Sequence, residues 1–311
     1  MITYRIAHTT EYHYSEPASL SYNEARLLPR SFATPLFAQQ VTDHKLEVEP
    51  EWRDARGRQD SFGNHVVYFT MRHPHSVMRI NVINEVTIEP SLPPADFPGY
   101  AAQSPAWEQV RARLAADRAQ LPYREFMLDS PLVRLFDDGA AYAVPSFTPG
   151  RPILEAAFDL MHRIHTDFAY EPGTTTITTP LPEVYAAKRG VCQDFAQFML
   201  ACLRSQGLAC RYVSGYIENR PPPGQEKLLG SDASHAWVAL YVPERGWIDF
   251  DPTNAKIATD QHITLGWGRD FSDVTPLKGI FFGGGKNELS VAVDVRRIDG
   301  VPAAAATSTG T

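Results

Sequence analysis

The chain has 311 residues, of which 43% are hydrophobic and 21% are charged. At roughly 100 to 200 residues per domain this length predicts two domains, and the apolar share can bury a sizeable core, which excludes a largely disordered chain. The net charge of -7, with no run of five basic residues, argues against a nucleic-acid partner or an anionic membrane.

The N-terminus carries no pattern typical of a targeting segment. Residues 1–8 alternate apolar and polar side chains and lack the basic-then-apolar order of a secretory signal. No stretch approaches the roughly 18 to 20 consecutive apolar residues of a membrane span. We therefore expect a soluble, cytoplasmic protein without a membrane partner.

Residues 1–90 predict an all-β N-terminal domain. Short alternating runs dominate, the segments 66–70 and 82–88 are rich in β-branched and aromatic residues, and Phe62-Gly63-Asn64 marks a turn. Antiparallel strands of this kind form a sandwich or a partial barrel. Residues 91–150 predict a proline-rich linker and a helical segment, with Trp107, Val110 and Leu114 on one helical face.

Residues 151–260 predict a compact α+β core. A helix beginning near residue 152 and a second helix over 192–204 both carry apolar stripes, and three strands are expected at 210–217, 235–242 and 247–251. The polar loop 218–233 and the irregular stretch 121–150 are expected to form the rim of a pocket. Residues 261–300 predict a β-rich segment that packs back onto the other domains, and 301–311 a disordered tail.

Three cysteines lie close together, at Cys192, Cys202 and Cys210. Their odd number and the lack of a Cys-x-x-Cys pair predict neither a disulfide framework nor a zinc cage. Cys192 falls at a predicted helix N-terminus, where the helix dipole and the free N–H groups favour a thiolate. Cys202 and Cys210 lie at apolar positions and are expected to be core residues.

A histidine and an aspartate follow the cysteine in an order that suggests nucleophilic catalysis. His235 and Asp251 lie 16 residues apart, on two predicted strands joined by a short turn. The imidazole could take the thiol proton, and the carboxylate could fix the orientation of the imidazole. Each residue alone is more often structural: a buried thiol, a strand histidine and a turn aspartate. The occurrence of all three in this order favours a catalytic role over a structural one.

Several blocks of the sequence resemble the transglutaminase-like superfamily. They read RGVCQDFA (189–196), CRYVSGY (210–216), SHAWV (234–238) and WIDFDPT (247–253). The segments 1–30 and 263–285 extend the resemblance, toward bacterial transglutaminase-like proteins described as cysteine proteases with a β-rich N-terminal region. The resemblance implies a papain-like core with Cys192 as nucleophile, His235 as base and Asp251 as orienting carboxylate, acting through a thioester.

Further residues around this triad have expected roles; those of Cys192 and Asp194 follow from the helix start, and that of Tyr170 follows from the resemblance. The Cys192 N–H is one expected oxyanion donor, and Tyr170 is a second, although its hydroxyl could instead cap a loop. Asp194 is expected to be a structural helix-start carboxylate. Three further residues match a subfamily motif and are interpreted as an ion pair that buttresses the site: Arg269, Asp270 and Asp273. No metal or other cofactor is expected.

The predicted activity is cysteine-dependent acyl transfer from an amide bond in a peptide, an isopeptide or a glutamine side chain. Hydrolysis by a peptidase or amidase is favoured. The alternatives are a protein-glutamine transglutaminase that forms amine cross-links and a non-catalytic binding module with the same fold. The expected partner is a peptide or protein-like amide substrate, and the acidic net charge weakly favours a neutral or cationic one. The oligomeric state is left open.

Overall fold

The structure, a computed structural model, describes residues 1–218 and 234–298. The predictions for the loop beyond Glu218 and for the tail 301–311 lie outside the described residues. The strands are β1 (Ile2–Ala25), β2 (Phe32–Ala33), β3 (Phe37–Glu49), β4 (Arg53–Gln59), β5 (His65–Met71), β6 (His75–Pro90), β7 (Ala169–Tyr170), β8 (Arg189–Gly190), β9 (Cys210–Ile217), β10 (Ser234–Val242), β11 (Gly246–Asp251), β12 (Lys256–Ile257), β13 (His262–Gly268), β14 (Leu277–Gly283) and β15 (Asn287–Arg297). The α-helices are α1 (Phe97–Ala102), α2 (Trp107–Ala116), α3 (Asp137–Ala143), α4 (Ile153–Asp167), α5 (Leu181–Ala187) and α6 (Cys192–Ser205).

The N-terminal strands form an antiparallel half-barrel organised by the 24-residue strand β1. The strand order is β2-β3-β6-β1-β5-β4. The C-terminal strands β15 and β14 pair with the first and second halves of β1, respectively. The last described strands of the chain therefore lie in the same sheet as the first.

The second sheet carries the catalytic helix. Its strand order is β12-β11-β10-β9-β13, and every pair in it is antiparallel. Helix α6 packs on β10 and β9, with α3, α4 and α5 around it. Its buried face includes Phe195, Phe198 and Met199. The predicted α+β class, with the cysteine-bearing helix packed on an antiparallel sheet, is confirmed.

Residues 91–152 are more helical than the sequence predicts. Helix α1 lies in the expected linker, and a 3-10 helix over Arg118–Met127 and α3 occupy the stretch expected to be irregular. Pro98 lies in the first turn of α1 and Pro182 in that of α5, a helix the pattern did not predict. Proline is tolerated there because those N–H groups have no intrahelical partner, so a proline-rich segment can still contain helices.

The two sheets are joined through buried polar contacts beside a shared apolar core. The Gln39 side chain donates to the Thr264 carbonyl and accepts from the Thr264 N–H, each at 2.8 Å. The His8 ring hydrogen-bonds to the Tyr216 hydroxyl at 2.8 Å. Strand β13 is thereby fixed from the N-terminal sheet, and its position matters for the site below.

Within the described ranges, no helix combines the length and apolar character needed to cross a membrane. The cytoplasmic location stays a prediction.

Candidate active site

Cys192 is the first residue of α6, and a local cap determines where that helix begins. The Asp194 carboxylate accepts hydrogen bonds from the Val191 N–H at 2.8 Å and from the Thr175 hydroxyl at 2.7 Å. Residue 190 is glycine because a Cβ there would lie 2.5 Å from the Asp194 carboxylate. Burial raises the pKa of Asp194, against the two hydrogen bonds, which favour its anion. These contacts agree with the predicted structural role of Asp194.

The three cysteines differ in exposure. Cys192 is half-buried, whereas Cys202 and Cys210 are fully buried. Burial raises the pKa of the Cys202 thiol well above its ordinary value and that of Cys210 to about 11. Cys202 and Cys210 are therefore core thiols that resist ionisation, and Cys192 is the accessible one.

The pairing of β10 with β11 brings His235 to Asp251. Val238 lies opposite Phe250, so the start of β10 lies beside the end of β11. The His235 Nε2 donates to the Asp251 Oδ2 at 2.8 Å, and the Cys192 sulfur lies close enough to the imidazole to favour its protonated form. The structure thus brings together the three residues that the sequence nominated.

Opposing effects set the charge of this buried pair. Burial disfavours the protonated form of His235, but the Asp251 charge and the hydrogen bonds to Asp251 and Cys192 outweigh it and raise its pKa to about 10. For Asp251, burial raises the pKa, and the contacts with His235 and His262 lower it more, so it lies far below its ordinary value. The contacts between the two side chains therefore favour the imidazolium of His235 and the carboxylate of Asp251 over their neutral forms.

Asp251 has two further partners that the sequence did not indicate. The Asn254 amide donates to Oδ2 at 2.7 Å, and His262 Nε2 donates to the same oxygen at 3.0 Å. The Oδ1 atom accepts from the N–H groups of Thr253 and Asn254. Asn254 follows Asp251 closely enough that a turn could have suggested it, whereas His262 reaches Asp251 through the pairing of β13 with β9, which local pattern does not reveal.

Three of these side chains form the candidate metal cluster of the described residues. His235, Asp251 and His262 each offer one ligand atom, and these atoms lie within 4.8 Å of one another. A cation bound there would take a ring nitrogen of His235 and a carboxylate oxygen of Asp251, two side chains that hydrogen-bond to each other. Metal binding would therefore compete with the contact that orients the imidazole.

Tyr170 lies near Cys192, on a strand beside the segment that precedes α6. Strand β7 pairs in parallel with β8, which places Tyr170 opposite Gly190, and its ring stacks on Phe195 with centroids 6.4 Å apart. The side chain is 56% exposed, and burial together with the nearby Cys192 sulfur raises its pKa. Its hydroxyl caps no loop within the described parts of the chain. Its oxyanion role stays a prediction.

The Arg269 motif contacts residue 132 and the C-terminal end of α6. Arg269 does pair with Asp273, at 2.9 Å, but the Arg269 carbonyl accepts from Arg204 near the C-terminal end of α6, the end opposite Cys192. The buried Asp270 accepts from the Leu132 N–H at 2.8 Å. The motif therefore joins residue 132 to the C-terminal end of α6. The predicted ion pair is present, and its role as a buttress of the site stays a prediction.

Comparison with known proteins gives two family matches. Residues 4–87 match the bacterial transglutaminase-like N-terminal region, and residues 141–252 match the transglutaminase-like superfamily core. An uncharacterized protein of Mycobacterium tuberculosis is 39% identical over 302 residues, covering 96% of this chain and 93% of its own. The chain belongs to the transglutaminase-like superfamily.

Two further matches differ in extent. A Cytophaga hutchinsonii protein, provisionally assigned as a cysteine protease, has a similar fold, with a TM-score of 0.72, 17% identity, and coverage of 96% of this chain and 91% of that one. A protein-glutamine gamma-glutamyltransferase of Pseudomonas aeruginosa is 34% identical over 92 residues, which is 29% of this chain and 14% of its own. Membership of the superfamily supports a cysteine-dependent enzyme in general.

Proposed function

We propose that this protein cleaves amide bonds of peptide or protein substrates by cysteine-dependent acyl transfer to water. The observation that carries the proposal is the contact chain from Cys192 through His235 to Asp251, in which an accessible thiol meets an imidazole held by a buried carboxylate. This is the arrangement that nucleophilic catalysis by cysteine requires.

The reaction follows from the positions of these groups. The Cys192 thiolate attacks the substrate carbonyl carbon, and the His235 imidazolium gives its proton to the amide nitrogen as the C–N bond breaks. The amine leaves and a thioester remains. His235, now neutral, takes a proton from water, which attacks the thioester and releases the acid and the Cys192 sulfur. Asp251 keeps the ring oriented and stabilises its positive charge.

Negative charge on the carbonyl oxygen needs hydrogen-bond donors. The Cys192 N–H is one, because a residue in the first turn of a helix has no intrahelical acceptor for its N–H group. The Tyr170 hydroxyl is the second donor that we propose, since its strand runs beside residue 190 and its side chain is exposed.

The test is hydrolysis of a peptide and amide library by wild type and Cys192→Ala. Cleavage that is lost in Cys192→Ala and retained in Tyr170→Phe at about one-tenth of the wild-type kcat supports both assignments. Iodoacetamide should label Cys192 and abolish cleavage while the buried Cys202 and Cys210 stay unmodified. A Cys192→Ala protein as active as wild type rejects the mechanism.

Transfer to an amine is the second candidate, favoured by the local identity to the Pseudomonas aeruginosa gamma-glutamyltransferase. It differs only in the acceptor that resolves the thioester. The test is incorporation of a fluorescent primary amine into a glutamine-bearing protein. If incorporation is faster than hydrolysis of the same donor, amine transfer is the function and the hydrolysis proposal is wrong. A Cys192 that reacts with iodoacetamide no faster than the two buried thiols, in a protein without either activity, would instead indicate a binding module.

A further inference from the structure

Two histidines share one oxygen of the buried carboxylate. His235 Nε2 lies 2.8 Å and His262 Nε2 lies 3.0 Å from Asp251 Oδ2. We infer that His262 is a positioning residue, which holds Asp251 and through it His235, so that the catalytic unit has four members instead of three. The inference rests on the function proposed above.

The hydrogen bond fixes which nitrogen of His262 carries the proton. Asp251 is fully buried and ionised, and an ionised carboxylate only accepts hydrogen bonds, so Nε2 of His262 is the donor. The Nδ1 atom is buried and has no hydrogen-bond partner among the described residues. Among the described residues, the hydrogen bond to Asp251 is therefore the one that the His262 ring makes.

A second buried histidine shows what a purely structural arrangement looks like here. His8, also nearly fully buried, bonds Tyr216 through Nδ1 and Thr10 through Nε2, so both of its nitrogens are satisfied. Among the described residues, His262 leaves its Nδ1 without a partner, and an unpaired buried nitrogen costs stability. A site optimised only for folding would place an apolar side chain or a fully bonded one at this position.

The fold holds the His262 ring from two sides. Its neighbour two residues on, Thr264, is bonded through both backbone groups to Gln39 of the N-terminal sheet. The edge of the ring meets the Trp237 ring, with centroids 5.1 Å apart and planes at 75°. Such bracing gives the donor a fixed direction, which is what orienting the Asp251 carboxylate requires.

The hydrogen bond from His262 to Asp251 also affects how strongly Asp251 stabilises the His235 imidazolium. The groups that face His262 are Asp251 and Asp249 from β11 and His235 and Trp237 from β10. Each donor to Oδ2 neutralises part of the negative charge that stabilises the His235 imidazolium. Removing His262 should therefore leave the imidazolium bound more strongly and oriented less well.

The experiment compares His262→Leu with His262→Gln. Leucine removes the donor at similar bulk, whereas the glutamine amide nitrogen can occupy the place of Nε2. We expect kcat on an amide substrate to fall on the order of 10-fold in the leucine variant, with KM nearly unchanged, and the alkaline limb of kcat/KM to move to higher pH. The glutamine variant should stay within about threefold of wild type.

Alkylation of Cys192 by iodoacetamide at pH 7 provides a readout that needs no substrate. It should slow in the leucine variant and recover in the glutamine variant. If leucine prevents folding, His262→Asn replaces it, because the shorter amide withdraws the donor from Asp251. The inference is wrong if the variant without the donor has the same kcat, alkylation rate and alkaline limb as wild type. It is also wrong if the His262→Gln variant loses as much activity as the His262→Leu variant. Activity retained in Cys192→Ala would overturn the proposed function instead.

Discussion

At the scale of single residues, the Asp251 carboxylate controls the charge of His235. The raised pKa of His235 arises against the effect of burial, from the Asp251 charge and the hydrogen bonds to Asp251 and Cys192. Asp251→Asn keeps the shape and removes the charge. We expect kcat/KM to fall on the order of 10³-fold. Burial disfavours the imidazolium, and the Asp251 charge no longer offsets this effect in the variant. The pKa of His235 should therefore drop, and the alkaline limb of the kcat/KM profile should move to lower pH.

The matched control for Asp251→Asn is Asp249→Asn, two residues earlier on β11. Asp249 is also buried, but its carboxylate accepts from the Trp237 ring N–H at 2.9 Å, and its charge acts on Arg211 and more weakly on His262, with no contribution to the pKa of His235. This variant should lose stability and keep the alkaline limb of the wild type. The proposed role of Asp251 would be wrong if both variants gave the same pH profile.

At the scale of elements, the start of α6 depends on the space that Gly190 leaves. A methyl group at Gly190 would lie 2.5 Å from the Asp194 carboxylate and displace it from the Val191 N–H and the Thr175 hydroxyl. Gly190→Ala should therefore lower the free energy of unfolding by about 1–3 kcal/mol. Because Cys192 is the first residue of the displaced helix, kcat/KM should fall more than about 10-fold.

Gly99→Ala in α1 provides the comparison, because nothing lies within 4 Å of a Cβ at that position. Alanine there should leave activity unchanged and stability equal or slightly higher, as expected for removing a helical glycine. Chemical denaturation and steady-state kinetics measure both variants. A Gly190→Ala protein as stable and active as Gly99→Ala would contradict the capping argument.

Local pattern predicted the elements that carry the triad, and non-local pairing determined the rest. The strand at 210–217 has the predicted bounds, and α6 begins at the predicted cysteine, because alternation and helical spacing are visible within a short window. His262 could not be nominated, since its contact with Asp251 depends on β13 lying beside β9 in the sheet. Helices α1 and α5 were missed because prolines in their first turns resemble linker residues.

At the scale of the whole molecule, the junction between the two sheets encloses a histidine that must stay neutral. His8 of β1 is 3% exposed and bonds the Tyr216 hydroxyl of β9, and burial lowers its pKa to about 4. The sequence predicted the β-rich N-terminal region but gave no indication of this contact, since the alternation of β1 shows only that residue 8 shares a face with Tyr4 and Ile6.

This buried imidazole makes stability depend on pH. In the unfolded chain His8 takes up a proton near its ordinary pKa of 6.5, whereas in the folded protein it does so only near pH 4. The unfolded state therefore binds more protons between these values, and the free energy of unfolding should fall by about 3 kcal/mol as the pH drops from above 6.5 to 4. His235, whose pKa is raised, contributes in a different range, because its stabilisation is complete below 6.5 and is lost as the pH rises toward about 10.

His8→Gln should remove most of the slope between pH 6.5 and 4, because glutamine can bond the Tyr216 hydroxyl and does not titrate. Urea denaturation at half-unit pH steps gives the slope, and His44→Gln, which replaces an exposed histidine, should retain the wild-type slope. Parallel pH curves for His8→Gln and wild type would show that the sheet junction is not the source of the acid sensitivity. A flattened curve in His8→Gln alone would locate that sensitivity at the contact between β1 and β9.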